Sequence, residues 1–131
     1  LIAAIYERRN PAAVRLMGLA LAGMRLEAEG RVAWTSVSTS MFESAGAADD
    51  DAEGIVDQMR TIAGVEIFYI LREHSDGVRV SLRAKGNRNV DAIARHFGGG
   101  GHLLASGCVI HAPLDEAETQ LRDVVLAHLK R

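Results

Sequence analysis

The strongest constraint on this sequence comes from residues 98–101, four consecutive glycines followed directly by His102. Glycine loses more conformational freedom on folding than any other residue, so a folded domain keeps such a run only where side chains would interfere. A segment without side chains lets another molecule approach the backbone N–H groups, and the neighbouring imidazole can donate a hydrogen bond to a phosphate oxygen. The run therefore predicts a site for a nucleotide phosphate, with a flexible hinge as the alternative.

The elements around the glycine run exclude two common nucleotide-binding motifs. A short amphipathic helix precedes the run, because Asn89 is a suitable N-cap and apolar residues follow at helical spacing up to Phe97. A strand is predicted after the run, over residues 107–111. A dinucleotide-binding fingerprint has the opposite order, with the strand before the glycines and the helix after them, and no Walker sequence is present.

A β-hairpin is predicted upstream of that helix. Residues 67–71 are an apolar run typical of a strand buried on both faces, and residues 75–77 are a turn sequence. The next strand alternates strictly between aliphatic and polar residues, which are Val78, Arg79, Val80, Ser81, Leu82 and Arg83. Ser81 and Arg83 therefore share a polar face, where arginine can bind phosphate through two parallel hydrogen bonds and serine can add a neutral one. The alternative is an ordinary solvated face, and Lys85 is a weaker phosphate-binding candidate.

The first part of the chain is predicted to be helical. Asn10 is a suitable N-cap for a largely buried helix that begins at Pro11, runs to about Glu29 and ends at Gly30. Residues 1–9 resemble the end of an interdomain connector helix, so we expect the chain to be a fragment of a larger two-domain enzyme, with its own domain over residues 10–131.

The remaining segments complete the fold class. Residues 32–37 are rich in β-branched and aromatic residues and predict a strand, and residues 53–60 predict a short helix. Pro113 begins the last helix, in which Asp115 and Glu118 resemble a capping box. Because strands and helices mingle without a strict βαβ repeat, the predicted fold is α/β or α+β, a single domain with a mixed sheet packed by helices.

The composition excludes some classes of binding partner. The net charge of −2 gives no general attraction to duplex DNA or to a membrane surface. The longest apolar stretch, residues 16–24, has nine residues, whereas a membrane-spanning helix needs roughly 20. Cys108, the single cysteine, excludes an internal disulfide and is typical of a small buried apolar side chain in a reducing compartment. A cytoplasmic protein without a membrane partner is expected.

The charged residues are unevenly distributed. Residues 41–60 hold six acidic residues and one arginine, whereas residues 79–95 hold five basic residues and one aspartate. Residues 49–51, three aspartates, do not follow the calcium-loop pattern and are interpreted as a solvated helix cap. The histidines other than His102 form no metal-ligand spacing and are interpreted as structural or surface groups, namely His74, His96, His111 and His128.

Together these residues resemble the DHH-associated C-terminal domain of DHH-family phosphoesterases. The resemblance rests on the glycine-histidine string with residues 105–107 (Ala-Ser-Gly), and it extends upstream through residues 80–83, 65–67 and 53–57. The match is most similar to the branch of nano-RNases and 3′-phosphoadenosine 5′-phosphate phosphatases, and it covers the chain from about residue 10 to the end.

The resemblance implies that two domains of the enzyme have separate roles, one in metal binding and one in substrate binding. In this family an N-terminal DHH domain holds two manganese ions through aspartates and histidines, and the C-terminal domain binds a short RNA or a nucleotide phosphate across a cleft. This chain has no Asp-His-His triplet, so we expect no metal site and no hydrolysis from it alone. A homodimer is left open. The residues that the resemblance implies for substrate binding are Ser81, Arg83, Gly99, Gly100, Gly101 and His102.

Two groups of alternatives remain. Within the same class, the chain could belong to a RecJ-like single-strand exonuclease or to a dinucleotide phosphodiesterase. In another class, the C-terminal domain of alanyl-tRNA synthetase, a non-catalytic RNA-binding module, has a related fold and a glycine-rich run. That domain resembles this chain less, because its glycines are typically not followed by histidine in the same string.

Overall fold

The computed structural model describes residues 10–130, so the predicted connector helix over residues 1–9 lies outside the described residues. The α-helices of the described part are α1 (Pro11–Ala22), α2 (Thr39–Ala45), α3 (Ile55–Gln58), α4 (Val90–His96) and α5 (Leu114–Leu129). The strands are β1 (Arg25–Glu27), β2 (Val32–Val37), β3 (Ile67–His74), β4 (Gly77–Ala84), β5 (Gly100–His102) and β6 (Ala105–Ile110). None of these helices combines the length and apolar character needed to span a bilayer.

The strands form one mixed sheet in the order β1-β2-β3-β4-β6-β5. β2 and β3 are parallel, and every other neighbouring pair is antiparallel. The predicted mixed sheet packed by helices is confirmed. β3 and β4 form the predicted hairpin, with Ile67 opposite Ala84 and His74 opposite Gly77.

A hydrophobic core lies on each face of the sheet, because β3 alternates large apolar residues toward both sides. Ile67, Tyr69 and Leu71 join a core with the aliphatic residues of β4 and with α4 and α5. Phe68 and Ile70 join a second core with β2, α1, α2 and α3. The second core contains no residue of β4, β5 or β6, so the helices of that side pack mainly on β2 and β3, and α3 also reaches β4 through Asp57. This partly covered sheet positions the site described below.

The first helix is shorter and less buried than predicted. Asn10 caps it as expected, accepting a hydrogen bond from the Ala13 N–H at 2.9 Å, but the helix ends at Ala22 and β1 follows. Gly30 does not stop a helix, since it has φ +84° in the turn between β1 and β2. Pairing of β1 with β2 at the edge of the sheet overrides the local helical preference. Val14 and Leu19 remain 57% and 42% exposed.

Three further segment predictions are corrected. The predicted helix over residues 53–60 is α3 followed by a 3-10 turn, Met59–Thr61. The last strand begins at Ala105 rather than at residue 107. The capping box of α5 is absent, because Glu118 instead accepts a hydrogen bond from Ser36 Oγ at 2.6 Å across to β2.

The predicted acidic helix cap is two different structures. Asp51 accepts from the Ala48 N–H at 2.9 Å and from Asn10 Nδ2 at 3.0 Å, which is a capping role on the 3-10 turn Asp49–Ala52. Asp49 is not a solvated cap, because both of its carboxylate oxygens lie 2.9 Å from Arg72 Nη1 and Oδ1 lies 2.8 Å from His74 Nε2. The ion pair joins the acidic segment to the end of β3.

Because Asp49 forms an ion pair, we expect the domain to lose stability at acidic pH. Burial raises the pKa of Asp49, but the charge of Arg72 and hydrogen bonds from His74 and Arg72 outweigh it, so the pKa lies below its ordinary value of 3.8. A lowered carboxyl pKa stabilises the fold above the ordinary value, and this contribution disappears as the pH falls through the lowered one. Asp49→Asn should lower the free energy of unfolding by about 1.5 kcal/mol near neutral pH.

The pH dependence distinguishes loss of the Asp49 ion pair from a destabilisation that does not depend on the charge of Asp49. Urea denaturation of Asp49→Asn and of the unchanged chain, followed from neutral pH to about pH 2, should give free energies of unfolding that converge at the acidic end. Asp50→Asn removes a neighbouring exposed carboxylate, and its free energy of unfolding should stay close to that of the unchanged chain. A constant difference between Asp49→Asn and the unchanged chain over the whole range would show that the ion pair is not its source.

Candidate functional site

The candidate site is the side of β4, β6 and β5 that faces away from α4 and α5, which we call the open face. Residues paired across neighbouring strands point to the same side of a sheet, so the strand register shows what this face displays. One row consists of Phe68, Arg83, Ala105 and His102. The next row consists of Ile70, Ser81, Gly107 and Gly100. A third row consists of Arg72, Arg79 and Val109.

These rows bring the predicted polar residues together. Arg83 and His102 lie on the same face with only Ala105 between them, which places their Cα atoms roughly 10 Å apart at the usual strand spacing. Next to them, Gly107 leaves a floor without a side chain beside Ser81, whereas a Cβ atom at Gly100 would lie 3.2 Å from Asp91 Oδ1 of α4. The open face therefore presents an arginine, a serine and a histidine around a flat surface that a flat or extended ligand can approach.

The polar side chains of the open face have unused hydrogen-bonding capacity. Arg83 donates from Nη1 to the Leu82 carbonyl at 3.0 Å, and its Nε lies 3.4 Å from Asp57 Oδ1. The hydroxyl of Ser81 and the imidazole of His102 make no hydrogen bond with the described residues, although the His102 carbonyl accepts from Ser106 Oγ at 2.6 Å. An arginine has five N–H donors, so most of the capacity of Arg83 is available to an anion.

Backbone conformation and close packing within the domain require glycine at several positions of the run, which the sequence alone could not show. Gly98 ends α4 with φ +85°, a conformation that favours glycine. At Gly99 a Cβ atom would lie 2.2 Å from the Gly107 carbonyl oxygen, because the chain passes directly against β6. At Gly101 the φ is +156° and a Cβ atom would lie 2.8 Å from the Ala105 carbonyl oxygen. The run therefore serves close packing of the backbone between α4 and the β5–β6 hairpin.

Three backbone N–H groups of the glycine run already have hydrogen-bond partners. The Gly101 N–H donates to Asp91 Oδ1 at 2.8 Å, and Arg95 Nε donates to the other oxygen at 2.7 Å. The Gly98 and Gly99 N–H groups complete the end of α4. Hydrogen bonds from Arg95 and from the Gly101 N–H lower the pKa of Asp91, so this carboxylate is charged at neutral pH and anchors β5. Among the predicted site residues, the side chains of Ser81, Arg83 and His102 are better placed to contact a ligand than the glycine N–H groups.

Two depressions adjoin the open face and meet at Arg72 and Ser81. The first has a volume of about 870 Å³ and runs between β4 and the acidic segment, with Arg83, Asp57 and Gly54 in its wall. The second has a volume of about 560 Å³ and runs over Gly107 to Gly99. Gly100, Gly101 and His102 lie outside the linings of both. Ser81 is the predicted site residue common to both depressions.

Sequence reasoning missed two residues of this surface. Arg72 follows the apolar run of β3 in the same alternation as Phe68 and Ile70, and extending that alternation by one step would have placed it on this side. Asp57 lies in α3 and approaches Arg83 only through the tertiary fold, so no spacing in the sequence indicates the contact. Its carboxylate is half-exposed.

No metal site is found in the described part of the chain. Within residues 10–130 no group of three or more histidine, cysteine, aspartate or glutamate side chains is arranged to hold a metal ion. The side chains of these residues therefore offer no place for a manganese ion, and the resemblance implies such ions only in the companion DHH domain. Cys108 is buried as predicted, and burial raises the pKa of its thiol to about 11, so it is a neutral thiol and no nucleophile at neutral pH.

Comparison with known proteins assigns this architecture to a family. The family model of the DHHA1 domain matches residues 29–131. The chain belongs to the DHHA1 family. The predicted resemblance is thereby confirmed, and the open face is the surface of a DHHA1 domain.

Curated relatives show the kind of protein that carries such a domain. The chain is 32% identical over 124 residues to the bifunctional oligoribonuclease and PAP phosphatase NrnA of Thermus thermophilus, covering 94% of this chain and 37% of that protein. It is 32% identical to NrnA of Bacillus subtilis, covering 85% of this chain and 34% of that protein. It is 37% identical over 71 residues to the cyclic-di-AMP phosphodiesterase GdpP of Geobacillus thermodenitrificans, covering 53% of this chain and 11% of that protein. This chain spans about a third of the length of the NrnA proteins.

Solved structures share the fold of this chain. An exopolyphosphatase-related protein from Bacteroides fragilis superposes with a TM-score of 0.90 at 27% identity, covering 96% of this chain and 37% of that one. The C-Ala domain of alanyl-tRNA synthetase from Aquifex aeolicus gives a TM-score of 0.52 at 14% identity, covering 71% of this chain and 88% of that domain. At this identity the likeness to C-Ala shows a shared fold and nothing about RNA binding.

Proposed function

We propose that this DHHA1 domain is the substrate-binding half of a manganese-dependent phosphoesterase. The intact enzyme would degrade very short oligoribonucleotides and dephosphorylate 3′-phosphoadenosine 5′-phosphate. A companion DHH domain would supply the metal ions and the hydrolytic step, so this chain alone would bind substrate without cleaving it. Both NrnA relatives are named for an oligoribonuclease and a PAP phosphatase activity, and they match most of this chain.

The observation that carries the proposal is the open face itself. Arg83, Ser81 and His102 present available donors around a floor of small residues, on a side of the sheet where β4, β5 and β6 contribute no residue to the second core. Phosphate oxygens accept from such donors, and the side-chain-free floor admits a ribose or a base close to the strands. We propose that the open face is the wall of the cleft that faces the companion domain, in a protein located in the cytoplasm.

A titration of the chain tests the proposal. Adding 3′-phosphoadenosine 5′-phosphate, a linear diribonucleotide, a cyclic dinucleotide and a tRNA in separate experiments should shift the amide signals of β4 and β5 with the small nucleotides. The cyclic dinucleotide tests the dinucleotide phosphodiesterase alternative, which the partial match to GdpP favours. Tight binding of the tRNA alone would support the C-Ala type of RNA-binding module and contradict the phosphoesterase proposal.

His102 should contribute directly to this binding. It is exposed on the open face and its imidazole makes no hydrogen bond with the described residues, so His102→Ala removes a donor without breaking an internal hydrogen bond. Losing one hydrogen bond to a charged phosphate should weaken binding of 3′-phosphoadenosine 5′-phosphate by about 1.5 kcal/mol, or roughly ten-fold, as measured by calorimetry. His96→Ala, an exposed histidine at the end of α4, is the matched control. Equal affinities for the two variants would show that His102 makes no contact with the nucleotide.

A further inference from the structure

A single carboxylate oxygen in the first depression lies between two arginines. Asp57 Oδ1 is 3.4 Å from Arg83 Nε and 3.8 Å from Arg60 Nη2. Both separations exceed the usual N–H···O distance of about 2.7–3.2 Å, so these are loose ion pairs. The carboxylate is 52% exposed, and an ion pair so close to solvent contributes little to stability. The arrangement marks a position where two guanidinium groups attract one anion.

The two arginines are held in place without the help of Asp57. Arg60 lies in the 3-10 turn after α3, and its guanidinium carbon is 5.2 Å from the centre of the Phe68 ring. Phe68 on β3 is paired directly with Arg83 on β4, which places both arginines above the same row of the sheet. Arg83 is anchored by its hydrogen bond to the Leu82 carbonyl. The stacking contact and the backbone bond orient two cations toward one point.

We infer that Arg60 and Arg83 form a clamp for one phosphate group of the substrate, and that Asp57 occupies the clamp until that phosphate displaces it. The inference rests on the proposed function and adds Arg60 and Asp57 to the binding residues. A phosphate group carries more charge than a carboxylate and has oxygens for a paired hydrogen bond with each guanidinium. Asp57 swings aside easily because no strong hydrogen bond holds it. The carboxylate also keeps weakly binding anions out of the clamp, which favours phosphate groups over chloride.

Removing the internal carboxylate should strengthen phosphate binding. Asp57→Asn should lower the Kd for inorganic phosphate and for 3′-phosphoadenosine 5′-phosphate by about three-fold, which is the scale of an exposed ion pair. Glu53→Gln is the matched control, since Glu53 lines the same depression and its loss changes the net charge equally. The control should change Kd by less than about 1.5-fold, as a general charge effect. Equal changes in the two variants would overturn the role of Asp57 in the clamp.

Removing the second arginine should weaken phosphate binding. Arg60→Ala should raise the Kd for both probes by about ten-fold, the scale of a lost hydrogen bond to a charged group. Arg25→Ala is the matched control, because Arg25 also stacks on an aromatic ring, at 5.3 Å from the centre of Trp34. Arg25 belongs to β1, at the opposite edge of the sheet. Arg60→Ala affinities equal to those of Arg25→Ala would overturn the clamp.

The two probes separate this inference from the proposed function. If inorganic phosphate binding depends on Arg60, Arg83 and Asp57 while nucleotides do not bind, the clamp stands and the nucleotide function fails. If nucleotides bind through Arg83 but neither probe responds to Arg60→Ala and Asp57→Asn, the clamp fails and the function stands. The NMR chemical shift of the Arg83 Nε–H group, recorded without ligand, should change in Asp57→Asn and stay the same in Glu53→Gln. An unchanged shift in Asp57→Asn would contradict the contact on which the clamp rests.

Discussion

Replacing Gly99 with alanine should lower the free energy of unfolding by about 3 kcal/mol or more, a large part of the stability of a domain of this size. The added methyl group would lie 2.2 Å from the Gly107 carbonyl oxygen and 2.7 Å from the Cys108 Cβ atom. The nearest of these is a backbone atom of β6, which is paired on both sides by β4 and β5, so the β5–β6 hairpin has to move away from α4 to make room. Urea denaturation followed by the fluorescence of Trp34, the single tryptophan, measures the change.

The matched control is the same substitution in a helix. Gly18 lies in α1, where an added methyl group would have no heavy atom within 4 Å, so Gly18→Ala should stabilise the chain by about 0.5–1 kcal/mol. The two substitutions add the same atoms and should have opposite signs. If Gly99→Ala were as stable as the unchanged chain, the glycine run would be a flexible segment and the hinge interpretation would replace close packing.

Replacing Arg83 with alanine should have the largest effect on binding, at about 3 kcal/mol or roughly 100-fold in the Kd for 3′-phosphoadenosine 5′-phosphate. Arg83 can offer two parallel charge-assisted hydrogen bonds, whereas His102 offers one. Arg83→Lys keeps the charge but loses the planar pair of donors, so its affinity should lie between those of the alanine variant and the unchanged chain. Isothermal titration calorimetry gives all three values.

Stability and position provide the controls for Arg83. The side chain makes a loose ion pair and one hydrogen bond to a backbone carbonyl, so Arg83→Ala should change the free energy of unfolding by less than about 1 kcal/mol. Arg31→Ala removes an exposed guanidinium near the opposite edge of the sheet and should leave nucleotide affinity within about two-fold. If Arg31→Ala weakened nucleotide binding as much as Arg83→Ala does, net charge would govern the affinity, and not the open face.

Local pattern was sufficient for much of the fold. The alternation in β4, the apolar run of β3 and the turn before Gly77 predicted the central hairpin, because a half-covered strand needs period-two alternation and a fully buried one needs none. Asn10 and Asn89 were recognised as N-caps because their side chains satisfy N–H groups that the helix leaves free. Pattern failed at β1, where pairing with β2 decided the structure of a segment with a helical composition.

Prediction of the site was incomplete in a different way. Ser81 and Arg83 were placed on one face by alternation, and the structure adds that His102 belongs to the same row as Arg83. Arg60 and Asp57 come from the connection between β2 and β3, and their approach to Arg83 depends on how that connection packs over the sheet. Contacts between residues so far apart in sequence leave no trace in local spacing.

The glycine run shows both what the sequence determined and what required the tertiary structure. The sequence by itself determined the family, the mixed α/β fold and the polar face of β4, because these follow from local residue patterns. It also singled out residues 98–101 as a place where side chains are excluded. Only the tertiary structure decided what excludes them: β6 passes directly against Gly99, and Asp91 holds the Gly101 N–H. Close backbone packing is a property of two segments together, so one segment read alone cannot show it.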